Sequence, residues 1–83
     1  MASDHMDQDN DQQLLEAFSR VLRAARTNAG ISQEELAHRA GKSIRYISLL
    51  EGRKHQPSLA TLQRICVGLG ISMTEFVAEI ERQ

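Results

Sequence analysis

Apolar residues recur every three or four positions in five separate stretches of this chain, and residues that start or stop helices bracket each stretch. Leu14, Leu15, Phe18, Val21, Leu22 and Ala25 make the first stripe, which ends near Gly30. Ser32-Gln33-Glu34-Glu35 then has the form of a capping box, with the Ser32 hydroxyl accepting from the Glu35 amide and the Glu35 carboxylate reaching back. The second helix it opens runs through Leu36, Ala37 and Ala40 to Gly41. Ser43 serves as N-cap of a third helix, which contains Ile47 and Leu50 and stops at Gly52. Pro57-Ser58 opens a fourth, with Leu59, Leu62, Ile65, Cys66 and Leu69 on one stripe before Gly70. Ser72-Met73-Thr74-Glu75 is a second capping box, and Phe76, Val77 and Ile80 follow it. Nothing alternates with the period of a strand, and no segment repeats. The pattern predicts a compact all-α domain of five helices.

Upstream of this pattern, residues 1–12 are rich in Asp, Gln and Asn and have no periodic apolar positions. Such a segment cannot offset its own ordering entropy, so we expect a flexible acidic tail there and a folded domain over residues 13–83. His5-Met6 is also the pair that a cloning junction commonly leaves, and no function is assigned to residues 1–6.

Composition narrows the function. At 83 residues the chain has room for one small module, and 41% hydrophobic with 25% charged residues is an ordinary globular mix rather than a disordered one. No apolar run approaches the roughly 20 residues that span a bilayer, and no basic segment leading into an apolar run opens the chain. We therefore expect a cytoplasmic protein with no membrane partner. The lone Cys66 allows no internal disulfide, so packing or dimerisation has to stabilise the fold. The formal charge of -1 hides an asymmetry: residues 1–16 carry -5, residues 20–64 carry +6 and residues 65–83 carry -2. Fields act over about a Debye length, so the basic middle bears more on partner choice than the total does, and it favours a polyanion.

The stretch from Gln33 to Gly52 is the most informative. Two short helices flank a tight turn at Gly41, and the outer face of the second carries no large acid. Ala37 is small enough for a close helix crossing, while Ile47 and Leu50 anchor the second helix underneath. This is helix-turn-helix geometry, which a scaffold with no DNA-binding role can also use.

Several phrases stand at one family's spacing: Leu22-Arg23-Ala24-Ala25-Arg26, Gly30-Ile31-Ser32-Gln33-Glu34-Glu35-Leu36-Ala37, Gly41, Tyr46-Ile47-Ser48-Leu49-Leu50-Glu51, Pro57-Ser58-Leu59 and Leu69-Gly70-Ile71-Ser72. Over about residues 14–80 the chain closely resembles the lambda-repressor-like family, the Cro and Xre-type DNA-binding domains. The resemblance implies a five-helix fold in which the helix from Ser43 to Glu51 enters the major groove of double-stranded DNA.

It also implies roles. Ser43, Ile44, Arg45 and Leu49 match base-facing positions. Arg45 is the leading reader, since a guanidinium can bond guanine O6 and N7 together and discriminate by about 1 to 3 kcal/mol. Ile44 either meets a thymine methyl or turns inward, and Leu49 supplies only apolar contact. Gln33, at the start of the second helix, matches a phosphate-contacting position. Lys42, Tyr46 and Ser48, with Arg53 and Lys54 of the basic loop, are further phosphate candidates. Arg26 and Glu51 match a pair that joins the first helix to the end of the recognition helix. Two departures stand out. The family commonly has glycine two residues after the helix-three glutamate, where this chain has Arg53 behind Gly52, and Lys42 occupies a position that is commonly apolar.

The expected function is sequence-specific DNA binding by a transcriptional regulator, a repressor that holds a pseudo-palindromic operator as a homodimer. Ile71, Met73, Phe76, Val77 and Ile80 offer more apolar positions than one terminal helix needs, so we expect the dimer interface there; the alternative is that all of them close the monomer core, since small domains need every apolar contact. The alternative is a helical protein-binding adaptor of antitoxin-like or coactivator-like kind. A third reading is non-specific nucleic-acid coating. His38, His55 and Cys66 lack the spacing of a zinc site, and no phosphate loop or ordered nucleophile can be built. We expect no metal, no cofactor, no small-molecule ligand and no enzymatic activity.

Overall fold

The computed structural model describes the backbone of residues 3–83 and the side chains from Asp11 onward. Five helices follow one another: α1 (Ser3–Asn28), α2 (Gln33–Ala40), α3 (Ile44–Glu51), α4 (Leu59–Leu69) and α5 (Met73–Glu81).

The start of α1 differs from the sequence expectation. The described backbone is already helical at Ser3, within the segment read as a flexible tail. Residues 11–14 are exposed and add nothing to the core. The remainder of the tail assignment, residues 1 and 2, lies outside the described residues.

Serine hydroxyls cap the other four helices. Ser32, Ser43, Ser58 and Ser72 each accept from the amide three residues on, at 3.0, 3.0, 3.1 and 3.0 Å. The reciprocal half of a capping box forms at Ser72, whose amide donates to Glu75 at 3.2 Å. At Ser32 it does not. There the Glu35 carboxylate accepts from Arg39 Nε at 2.9 Å, one turn further along α2, and this ion pair draws it away from the cap.

Leu22, Leu36, Ile47, Leu50, Ile65 and Phe76 are fully buried and form the centre of the core. α1 packs on α3 and α5, while α2 packs on α4 and α3. The α2 to α4 approach is close: a Cβ placed on Gly68 would sit 3.1 Å from Arg39 Cβ. The Arg39 guanidinium also donates to the Gly68 carbonyl at 2.9 Å, clipping the two helices together.

Phe76 corrects the sequence-based interface. Its ring lies inside the monomer, edge-on to Phe18 of α1 at 5.8 Å between centroids. It is a core residue because α5 turns that side toward α1. Ile71, Met73 and Ile80 are half-buried against the core, and Val77 stays 40% exposed. Phe76→Ala should cost about 3 to 5 kcal/mol, a large part of the roughly 5 to 15 kcal/mol that holds a small domain together. Urea unfolding of the two proteins checks this, and a loss under about 1 kcal/mol would contradict the packing described.

Candidate nucleic-acid interface

The helix-turn-helix is built by a tight end to α2. Gly41 takes the left-handed conformation, with φ 68°, and the Lys42 amide then donates back to the Ala37 carbonyl at 2.8 Å. Ala37, 2% exposed, lets α3 pass close beneath. α3 buries Ile47, Leu50 and Glu51 and turns Ile44, Arg45 and Ser48 outward. Ile44 does not turn inward, being 47% exposed. Arg45 is exposed in the first turn, whereas Leu49 is half-buried and presents only part of its side chain. Ser43 lies just outside the helix with its oxygen accepting from the Tyr46 amide, which leaves its hydroxyl proton free to donate.

One buried carboxylate organises the surroundings. Glu51, with a side chain 1% exposed, receives Arg26 Nε on one oxygen at 2.6 Å and a second Arg26 N–H on the other at 3.1 Å. Gln33 donates its side-chain amide to the same carboxylate at 3.1 Å, and Arg23 Nε lies 3.6 Å away. Arg26 also donates to the Ile31 carbonyl at 2.9 Å, and Arg23 to the Glu51 carbonyl at 3.3 Å. Burial alone would raise the Glu51 carboxyl above the ordinary range. The hydrogen bonds from Arg26 and Gln33 and the charges of Arg26 and Arg23 outweigh it, so the net shift is downward. Arg26 moves up, mainly because Glu51 accepts its hydrogen bond.

Sequence reasoning placed Gln33 among the phosphate candidates as an outward residue. The structure holds its amide on Glu51, at the half-buried start of α2. Ser19 and Arg23 were missed. The Ser19 hydroxyl is buried and donates to the Leu50 carbonyl at 2.7 Å, tying α1 to the last turn of α3. A serine between Phe18 and Val21 on an otherwise apolar face was the available signal for it. Arg23 carries no such signal, because only the fold brings it beside Glu51.

Basic residues flank both ends of α3. On one side Lys42 Nζ lies over the Tyr46 ring, 4.9 Å from its centroid. On the other, Arg53, Lys54 and His55 are exposed in the loop, and the His55 ring packs edge-on to Tyr46 at 5.3 Å. The displaced glycine resolves simply. Gly52 is right-handed, with φ -93°, and a Cβ there would sit 3.1 Å from the Ser48 carbonyl oxygen. Arg53 itself adopts φ 62°, a conformation that costs a residue with a side chain about 1 to 2 kcal/mol. Its one ion-pair partner among the described residues is Glu16, at 3.5 Å and half-exposed, which offsets little of that. His38 is exposed on α2 and Cys66 is buried in the core, where burial pushes its thiol up.

The helix-turn-helix family model matches residues 22–76. An HTH-type transcriptional regulator, y4dJ of Sinorhizobium fredii, is 38% identical over 52 residues, covering 63% of this chain and 68% of its own. The control protein C.MunI of a Mycoplasma species is 36% identical over 62 residues, covering 75% and 81%. Among solved structures, the clp gene regulator ClgR of Corynebacterium glutamicum superposes with a TM-score of 0.79 at 32% identity, covering 83% of this chain and 88% of that one. The restriction-modification controller protein C.Esp1396I, a tetramer in complex with its 35 base-pair operator, superposes with a TM-score of 0.77 at 29% identity, covering 83% and 91%. The fold and the exposed third helix thus define a DNA-binding transcriptional regulator. The chain belongs to the helix-turn-helix family of Cro/Xre type.

Two measurements probe the region. Because the folded Glu51 carboxyl lies below its ordinary 4.5, the stability it contributes is complete above that value and is lost as pH falls through the lower folded value. Wild type should therefore exceed Glu51→Gln in urea-unfolding free energy at neutral pH, and the gap should close as pH falls below about 4. A gap independent of pH would contradict the ion pair. Arg53→Gly should raise stability by about 0.5 to 1 kcal/mol through relief of the left-handed backbone, read as a higher urea midpoint with an unchanged slope.

Proposed function

We propose that this protein is a repressor that occupies a pseudo-palindromic operator as a homodimer, with α3 in the major groove. The observation that carries the reading is the outward face of α3. Ile44, Arg45 and Ser48 stand exposed with no acid among them, on a helix whose other side is locked into the core. Arg45 reads guanine, Ile44 meets a thymine methyl, and Ser43 donates its remaining proton. Leu49 contributes an apolar edge. Lys42, Ser48, Arg53 and Lys54 face backbone phosphates on either side. C.Esp1396I, with its operator, supports the same use of this fold.

Two copies meet through α5 in this reading. Met73, Val77 and Ala78 line a shallow depression on its outer side together with Thr74 and Glu81, and Ile71 and Ile80 are half-buried elsewhere on the same end of the chain. Two recognition helices then address half-sites about 34 Å apart, one turn of duplex. The protein acts in the cytoplasm by occupancy and carries no catalytic step.

Selection from a random duplex library at physiological salt, run in parallel on wild type and Arg45→Ala, tests the whole reading. Wild type should enrich a two-fold motif with half-sites one helical turn apart. Arg45→Ala should stay folded while preference at one base pair of each half-site falls by about 5- to 150-fold, the equivalent of one lost bidentate contact. Enrichment of no sequence by a folded wild type would overturn operator binding, and an unpaired half-site would overturn the dimer.

A further inference from the structure

We propose that Tyr46 is a positioning residue for the DNA backbone and that its ring, rather than its hydroxyl, carries the role. The inference rests on the operator reading and deepens it. Tyr46 is half-buried on α3, next to exposed Arg45; one part of it packs against the core, and its ring meets two side chains from outside the helix. Lys42, in the turn before α3, places its ammonium 4.9 Å from the ring centroid. His55, in the loop after α3, packs on the same ring at 5.3 Å and 74°. One aromatic side chain thereby ties down both segments that flank the recognition helix.

Those segments carry the basic residues Lys42, Arg53 and Lys54. Residues 52–56 form an exposed connection. Its near end is fixed by backbone hydrogen bonds from Gly52 to Ser48 at 2.9 Å and from Lys54 to Leu49 at 2.9 Å. Beyond Lys54 the ring contact of His55 takes over. A lysine held over an aromatic face keeps its ammonium hydrogens available while its long side chain samples fewer positions. Restricting cations before the phosphates arrive removes part of the ordering cost of binding. The effect is independent of base sequence, since phosphates carry none.

The test compares wild type, Tyr46→Phe, Tyr46→Leu, Lys42→Met and the Lys42→Met/Tyr46→Leu double variant. Binding to the selected operator and to an unrelated duplex is measured by fluorescence anisotropy between about 50 and 200 mM salt. Tyr46→Leu, which keeps apolar volume without a ring, should weaken both duplexes by about tenfold. It should also flatten the salt slope by about one to two phosphate contacts, with the operator preference intact. Tyr46→Phe should rescue affinity and slope together. Lys42→Met should cost less in the Tyr46→Leu background than in wild type, because the ring no longer directs the ammonium. In the free proteins, ring-current shifts of the Lys42 methylenes should be present in wild type and Tyr46→Phe and absent in Tyr46→Leu.

Tyr46→Phe falling as far as Tyr46→Leu would assign the role to the hydroxyl and overturn the proposal. Altered base preference at an unchanged salt slope would make Tyr46 a reader and overturn it too. Tyr46→Leu matching wild type on both duplexes would overturn the positioning role alone. A folded wild type that binds neither duplex would overturn the operator reading itself, and with it the role assigned to Tyr46.

Discussion

The burial of one carboxylate governs the arrangement of this domain. Glu51 ends the recognition helix, yet its side chain points inward, where α1 supplies Arg26 and the start of α2 supplies Gln33. Removing a carboxylate from water is expensive unless its oxygens are filled, and the two-point contact with Arg26 fills both of them. That geometry is directional in a way that apolar packing is not. A leucine in place of Glu51 would bring the helices together without fixing the rotation of α3 about its axis. The Ser19 bond to the Leu50 carbonyl constrains the same turn from α1. Together they determine which residues of α3 look outward.

That constraint separates what the sequence could reveal from what it could not. Helix positions follow from local chemistry, and apolar spacing with serine caps located α2 to α5 almost to the residue. The start of α1 escaped because a polar helix end has no apolar stripe to announce it. Gln33 illustrates a different limit. Its place at a helix start marks it as an anion-facing residue, and only the fold shows that the nearest anion is Glu51. Phe76 was misread for a related reason: apolar residues on a terminal helix look alike in sequence, whether they face the core or a partner. The Arg26 and Glu51 match located a pair, while Arg23 and the Arg39 clip to Gly68 depend on helix crossings that no local pattern encodes.

A recognition helix of 8 residues has little stability of its own, since isolated helices shorter than about 12 to 15 residues are marginal in water. Its order is borrowed from Ile47, Leu50 and Glu51, all on the buried side. The outward side is therefore under no packing demand and can be spent on recognition. The same division explains Arg53. A glycine would relax the left-handed backbone, so an arginine at φ 62° trades stability for a cation at the edge of α3.

In the proposed dimer, α5 joins folding to assembly. One side of the helix inserts Phe76 against Phe18, which closes the core over α1. The neighbouring side leaves Val77 exposed next to half-buried Met73 and Ile80. Both sides belong to the same 9 residues, so in the proposed dimer any shift that loosens Phe76 would also tilt the surface offered to a second copy. In that dimer the distance between the two recognition helices would depend on the packing of a phenylalanine buried in each monomer. A preference for two half-sites at one spacing would then require this rigid core, because a helix free to rock on α1 would accept several spacings and discriminate among none.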